Sequence, residues 1–529
     1  MSPSSLPAWG EPPVPGRAYV RAGDSAVAVD TRDTVGSRVA AVAAAHPERI
    51  ALLVAGESGD PTTMTWAELA RRAGTVAVGL AGHRGPRRCI GILGRDRAEW
   101  VCTAYGAALA GMAIAPLPTA EPDEALVALC ERSGVDFVVA LADRPVRAEL
   151  GSTPVVAFED LAQSEGRLDA DLDARLVRSA DPFLYQFTSG TTGAPKIAAL
   201  SHRVVLGAAR AYALGAGAAD GAVLMNPLPL EHVGGSVAGL IGALTVAGGY
   251  ASVSAITPGA IARTIRAAAP TVVGLVPTML LDLLDSSAVG PADFASVASV
   301  VGGATSVDPA LIDRVERELG ITFLVAYGQS EAPCMTLSAF SDTTSQRTRT
   351  IGRPLPGRDC CVAKDGRLVD EGEVGELYVR GPLCMDGYLA DDGRLAIVTD
   401  VRGWMATGDL CSMADGVITF HARNRDVVIR GGENLYPAEI EPVIVEHPAV
   451  REATVFGFPD ARLGEVVAAA VLPVPGATID ADELDAFVAQ RLARGKRPTR
   501  WFVVDDFPRT STGKIRRADL AGRLAGPNS

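Results

Sequence analysis

The feature that most restricts the fold is a regular alternation of Ala-rich helical stretches with short, apolar, strand-like runs. An Ala-rich helix from Val35 ends near His46-Pro47, a strand covers Ile50 to Ala55, a helix Trp66 to Ala81 and a strand Cys89 to Leu93. A helix over Ala98 to Ala110 and a strand over Ala113 to Leu117 continue the pattern. Strands spaced by helical segments build layered α/β architecture with largely parallel sheets. At 529 residues the chain exceeds one ordinary core, so two or more domains are expected.

The texture changes at Gly352 to short strands and turns, including Gly375 to Gly381 and Gly403 to Leu410, which predicts a small β-rich subdomain over about 352–424. Arg423-Asn-Arg-Asp426 is a charged joint, and residues 425–529 have the length of a small α+β domain beyond a large body of residues 1–424. There, Pro437 suits the first turn of a helix, and Asp480-Ala-Asp-Glu483 resembles a capping box before a helix over Leu484 to Leu492. A strand is expected at Arg500 to Val504.

Charge limits the partners. With 62 acidic against 49 basic residues the net charge is −13, which speaks against nucleic acid or an anionic membrane as a general partner. An anionic ligand must therefore meet locally placed Lys and Arg. Ser236 to Ala262 carries no charge, but Gly248-Gly249 divides it, so a buried helix and strand are expected rather than a membrane span. The start of the chain has neither a basic region nor an apolar core, so no secretory signal is expected. Eight cysteines without a C-x-x-C spacing read as reduced thiols, consistent with a cytoplasmic protein.

Chemistry concentrates where strands end. Phe183 to Phe187 reads as a strand, and Thr188-Ser189-Gly190-Thr191-Thr192-Gly193-Ala194-Pro195-Lys196 follows it. Glycines admit backbone N–H groups close to phosphate oxygens, hydroxyls add donors and the lysine adds a point charge, as a clamp for the phosphates of ATP requires. It is not a Walker loop, since Pro195 and Ile197 break that spacing, and a Ser/Thr/Gly-rich surface turn would share the composition. Strands at Ser299 to Val301 and Ile321 to Ala326 run into Gly302-Gly303-Ala304 and Tyr327-Gly328-Gln329-Ser330-Glu331. Strand carboxyl ends are where open α/β sheets hold ligands. Pro508-Arg-Thr-Ser-Thr-Gly-Lys514 repeats the Gly/hydroxyl/lysine theme near the C-terminus.

The order of these elements resembles the adenylate-forming superfamily, which includes acyl-CoA synthetases, carrier-protein acyl ligases, peptide-synthetase adenylation domains and luciferases; acyl-CoA synthetases are the nearest. Thr-Ser-Gly-Thr-Thr-Gly-x-Pro-Lys, Tyr-Gly-x-Ser-Glu, Thr-Gly-Asp, an Arg-containing joint and Pro-Arg-Thr-x-Thr-Gly-Lys occur in that sequence between about residues 35 and 520. The resemblance implies that a carboxylic acid reacts with ATP to give acyl-AMP and pyrophosphate, after which a thiol displaces AMP. It implies Mg²⁺ and the pantetheine thiol of coenzyme A, or of a carrier protein, in a monomer or homodimer. A non-catalytic binder of the same fold is the alternative from another class.

Residue by residue, the resemblance implies that Thr188 to Lys196 holds the β- and γ-phosphates, that Glu331 ligates Mg²⁺ with Ser330 beside it, and that Tyr327 faces adenine. Gly303, Ala304 and Thr305 would line that pocket, Asp409 would accept the ribose hydroxyls with Arg423 adding donors, and Lys514 would bridge the carboxylate and the α-phosphate. Arg425 occupies the pivot position of a mobile small domain, where relatives usually carry Asp or Lys, and Gly431-Gly432 would border the thiol tunnel. His232 matches a gate near the acyl carboxylate. Val233 stands where amino-acid-activating relatives place an acid, which speaks against an α-amino acid. Small Gly234, Gly235, Ser236, Gly303 and Gly328 suggest a roomy, mostly apolar pocket for an aryl, cyclic or longer acyl group. Arg430, Arg494, Lys496 and Arg497 are candidates for the CoA 3′-phosphate. Departures from the pattern are Ile197 after the loop lysine, Ala422 before Arg423 and Glu231 before the gate.

Overall fold

A computed structural model describes residues 16–21, 33–56, 58–83, 85–95, 97–144, 149–165, 177–188, 195–303, 307, 309–509 and 515–524. Two compact bodies emerge, one drawn from Arg21–Asp359 and Arg380–Trp404, the other from Met1–Val20, Cys360–Val379 and Met405–Ser529.

The first body is built on two nine-stranded sheets. One runs, in spatial order, Arg353–Pro354, Ala332–Leu337, Thr322–Gln329, Ser299–Gly303, Val272–Gly274, Leu224–Met225, Tyr250–Val253, Ile50–Ala55 and Thr62–Thr65. Its interior pairings, from Thr322–Gln329 to Ile50–Ala55, are parallel, and antiparallel strands close both edges. The other sheet carries parallel Ala113–Pro116, Cys89–Leu93, Phe137–Ala140 and Thr153–Ala157. The hairpin Pro182–Phe187/Ile197–Ser201 joins it beside Ala113–Pro116, and Gly387–Leu389 pairs antiparallel with Ile197–Ser201. Helices cover the sheets as the alternation predicts, for example Trp66–Gly82 and Arg97–Leu109. Val273, Val300 and Phe323 from parallel strands meet Ile261, Ile312 and Val315 from helices in one buried core.

The uncharged stretch resolves as a π-helix at Gly234–Ile241, an α-helical turn at Gly242–Thr245 and a strand at Tyr250–Val253. No helix among the described residues is long and apolar enough to cross a membrane. The eight cysteines are free thiols, seven of them buried.

In the second body, Gly375–Arg380, Met405–Ala414 and Val417–Arg423 form an antiparallel sheet. A second sheet pairs Val450–Asp460 with Gly464–Pro473, which Arg500–Val503 joins in parallel. Pro437 opens the helix Pro437–Val445 as expected. The next helix spans Ala481–Ala489 and starts three residues earlier than read, because the Asp480 side chain caps the N–H of Asp482 and no reciprocal contact from Glu483 is made. The helix Arg517–Leu524 was not anticipated; it is only eight residues long and its first residue is anchored by ion pairs.

Candidate active site

The phosphate-clamp stretch links the antiparallel strands Pro182–Phe187 and Ile197–Ser201, and at its base the Thr188 N–H donates to the Lys196 carbonyl at 2.8 Å. Ser189, Gly190, Thr191, Thr192 and Gly193 lie outside the described residues, as do Ala304, Thr305 and Lys514. Lys196 Nζ sits 4.9 Å from the centroid of the Tyr388 ring. The Tyr388 hydroxyl donates to Glu331 Oε1 at 2.6 Å. One tyrosine thus meets both the loop cation and the predicted metal carboxylate. Sequence reading missed Tyr388; its position between Ala198 and Ala396 of the flanking strands is a matter of tertiary pairing.

Tyr327 and Gly328 were expected in a turn, but the strand Thr322–Gln329 carries them and the turn is Ser330-Glu331, returning as Ala332–Leu337. Antiparallel return pairing, Tyr327 against Thr336, extends the strand beyond its apolar core. Gly303 ends the neighbouring parallel strand in register with Ala326, so Gly303 and Tyr327 stand together at strand carboxyl ends.

The glycines thought to make room do something else. A Cβ on Gly303 would lie 2.0 Å from the Ala326 carbonyl oxygen, one on Gly235 2.3 Å from that of Pro229, and one on Gly328 2.8 Å from the Cys334 nitrogen. Close backbone approach, rather than open pocket volume, explains their size. Gly303→Ala is accordingly expected to force the two strands apart, at a cost of about 1 to 3 kcal/mol measurable as a lower urea midpoint.

The segment 226–236 is held from several sides. Arg97 donates to the Pro227 and Leu228 carbonyls at 2.8 Å each, Gln186 Nε2 to the Glu231 carbonyl at 2.9 Å and Asn226 Nδ2 to the Gly234 carbonyl at 2.9 Å. The Ser236 hydroxyl and N–H both donate to the His232 carbonyl. Burial pushes His232 down to about 4, so its imidazole is neutral at pH 7. Glu231, the departure before the gate, is a buried carboxylate pushed up by desolvation and opposed by hydrogen bonds from the Thr119 N–H and hydroxyl. Val233 is half-buried immediately before the π-helix, and π-helical turns are frequent at functional sites.

In the second body Asp409 and Arg423 face each other across antiparallel strands, Nε to Oδ1 3.5 Å, with the Asp409 side chain 4% exposed. Gly408 precedes Asp409 within the strand Met405–Ala414 at φ +76°, a left-handed backbone conformation that favours glycine. Glu376 accepts from the Gly408 N–H, and burial with the nearby Asp409 charge raises its carboxyl. Arg425 lies in the short 3-10 turn Asn424–Asp426, its charge disfavoured by burial and Arg423 and supported by Asp426 at 3.5 Å. Beyond the joint, Arg517 binds Asp426 at 3.3 Å and Glu441 at 2.6 Å. Lys496 is committed to Glu439, which His421 approaches at 3.5 Å, and these partners hold the Glu439 carboxyl at about 2. Arg497 donates to the Leu492 and Ala489 carbonyls. Two of the four cations considered for a 3′-phosphate are therefore occupied internally. Gly431 and Gly432 form the turn between Val428–Arg430 and Glu433–Leu435, both at positive φ.

Comparison with known proteins agrees with this arrangement. Residues 39–389 match the model of the AMP-binding enzyme family, and residues 439–514 that of the AMP-binding enzyme C-terminal domain. The chain belongs to this family. It is an ATP-dependent acid–thiol ligase in the adenylate-forming superfamily, close to acyl-CoA synthetases.

Among its relatives, a 3-[(3aS,4S,7aS)-7a-methyl-1,5-dioxo-octahydro-1H-inden-4-yl]propanoyl:CoA ligase of Rhodococcus jostii is 30% identical over 88% of this chain and 94% of its own. Indoleacetate–CoA ligase of Aromatoleum aromaticum is 33% identical over 87% of this chain and 93% of its own. Among solved structures, ATP-bound MatB from Rhodopseudomonas palustris superposes with a TM-score of 0.84 at 25% identity, covering 94% of this enzyme and 100% of MatB. These likenesses also support the α/β class read from the alternating segments.

Proposed function

We propose that the enzyme activates a bulky apolar carboxylic acid, aryl, cyclic or longer acyl, and transfers it to the thiol of coenzyme A. A carboxylate oxygen attacks the α-phosphorus of ATP and pyrophosphate leaves; the CoA sulfur then attacks the acyl carbon, its proton passes to solvent and AMP leaves. The observation that carries the nucleotide half is the meeting of Lys196 and Glu331 at one Tyr388 ring, within a chain of this family. The named substrates of the Rhodococcus and Aromatoleum relatives, and Val233 where an acid would hold an ammonium, support the acid class.

In this reading Thr188 to Lys196 binds the β- and γ-phosphates, Gly303 to Thr305 and Tyr327 line the adenine pocket, and Asp409 with Arg423 takes the ribose. His232, Val233, Gly234, Gly235, Gly303 and Gly328 border the acyl group, Arg425 is the pivot of a domain beginning at residue 425, and Gly431-Gly432 flanks the thiol path. A neutral His232 suits an apolar acid, since it brings no charge that needs a partner. Glu331 fits Mg²⁺ as a hard oxygen donor, and among the described residues no group of three His, Cys, Asp or Glu offers a ready cage. Magnesium there would draw its remaining ligands from phosphate and water, and when bound neutralises phosphate charge.

Pyrophosphate release across a panel of aryl, cyclic, fatty and amino acids tests the reading; release only with α-amino acids would overturn it. Comparing AMP formation with CoA and with a carrier protein decides the acceptor, because a fatty acid–[acyl-carrier-protein] ligase of Streptomyces coeruleorubidus is also 30% identical. Asp409→Ala is expected to raise the KM for ATP about tenfold or more, the loss of hydrogen bonds to a charged acceptor. An unchanged KM would remove Asp409 from the ribose site.

A further inference from the structure

The segment carrying Tyr388 is fastened to both halves of the nucleotide apparatus of the first body. The Met385 N–H donates to the Glu331 carbonyl at 2.8 Å, and the Asp386 N–H to the Ala199 carbonyl of the phosphate hairpin at 2.9 Å. Asp386 Oδ2 in turn accepts the Ser201 N–H at 2.8 Å. Arg358, 1% exposed, donates to the carbonyls of Pro333, Cys334 and Leu383, tying the strand after Glu331 to the start of the same segment. A buried guanidinium spent on three carbonyls fixes backbone relative to backbone, because each unmet donor or acceptor would carry its full desolvation cost. Tyr388 therefore has little freedom to leave Glu331 or Lys196.

From this geometry we infer that Tyr388 is a positioning residue for the adenylation step, its hydroxyl orienting Glu331 toward magnesium and its ring face seating the Lys196 ammonium beside the phosphates. The inference rests on the reading of Glu331 as the metal carboxylate. The hydroxyl donates to Glu331 Oε1 at 2.6 Å, so one carboxylate oxygen is committed. Fixing Oε1 in this way leaves the direction of the carboxylate determined before the metal arrives, which is what a hydrogen-bonded partner does for a metal ligand. The face of the ring acts separately, since an ammonium over an aromatic ring is held by the ring quadrupole and needs no hydroxyl.

Because the two contacts use different parts of one side chain, they can be separated by calorimetric titration of ATP with and without Mg²⁺ on the purified full chain. For Tyr388→Phe we expect the gain in ATP affinity on adding Mg²⁺ to shrink about tenfold, with Mg²⁺-free ATP affinity and thermal midpoint unchanged. Tyr388→Leu should show the same loss and also weaken Mg²⁺-free ATP binding about twofold to fivefold. Full retention of the magnesium gain in Tyr388→Phe overturns the inference, as does a fall in its Mg²⁺-free affinity, which would mark a general packing role. Glu331→Gln is the control for the underlying reading. If it keeps the whole magnesium gain, Glu331 is not the metal carboxylate; if it loses the gain while Tyr388→Phe does not, only the role of Tyr388 falls.

Discussion

Lys514→Ala is expected to lower the rate of acyl-adenylate formation by about 10² to 10³ while leaving thioester formation from supplied acyl-AMP largely intact. The first half-reaction brings a carboxylate against a phosphate, so negative charge accumulates where the new bond forms. An ammonium about 4 Å from such a charge is worth about 4 kcal/mol at an effective dielectric of 20, and removing one preorganised stabiliser of this kind costs about the stated factor in rate. The second half-reaction starts from a mixed anhydride already made and has no such approach to compensate. The match to the family's C-terminal domain ends at Lys514 itself. Although Lys514 lies outside the described residues, its flanks are held: Arg509 and Ile515 pair as an antiparallel bridge, and the Arg516 N–H donates to the Pro508 carbonyl at 2.7 Å. Acid-dependent exchange of pyrophosphate into ATP reports the first step, and AMP release from synthetic acyl-AMP with CoA reports the second. Equal loss of both would contradict the assigned role.

What the sequence disclosed, and what it withheld, follows from the range of the interactions concerned. Helix and strand periodicity is local, so Val35–Ala45, Ile50–Ala55 and Cys89–Leu93 emerge where the apolar spacing puts them. Glu331 was legible as a polar residue after an apolar strand, and Asp409 as a carboxylate after a glycine. Tyr388 was not, because its hydroxyl and ring acquire meaning only when strands almost 200 residues apart pair, Ala198 against Tyr388. Arg358 and Arg517 escaped notice for the same reason: each serves distant carbonyls or carboxylates, and neither sits in a motif. The glycines show the opposite failure. Small size at Gly235 and Gly303 was visible, but whether it makes space or admits a neighbouring backbone depends on what packs there, and the carbonyls of Pro229 and Ala326 decide it.

Acid should destabilise the first body between pH 6.5 and 4, and the buried His202 is one reason. The residue is 2% exposed at the start of the helix His202–Gly215, with its ring 5.0 Å from that of Phe183. Its Nδ1 accepts the Val35 N–H at 3.1 Å, one of the donors that the helix Val35–Ala45 cannot satisfy internally. Protonating that nitrogen breaks the bond and buries a charge, so burial, against the pull of Asp181, lowers His202 to about 4. The unfolded chain takes up its proton near 6.5. Between those values the unfolded state binds more protons, so unfolding free energy falls as pH falls, by about 3 kcal/mol in full. His232, also lowered to about 4, acts in the same direction, whereas Glu231, whose raised carboxyl is relieved by protonation, acts against both. His202→Asn keeps an acceptor close to the Nδ1 position and cannot titrate. It should start less stable at pH 7, because it leaves a cavity, yet lose less between pH 7 and pH 5 than the parent in urea denaturation. A variant whose stability falls with acid as steeply as the parent's, or a His202 resonance titrating near pH 6.5, would show that the buried imidazole is not the acid-sensitive joint.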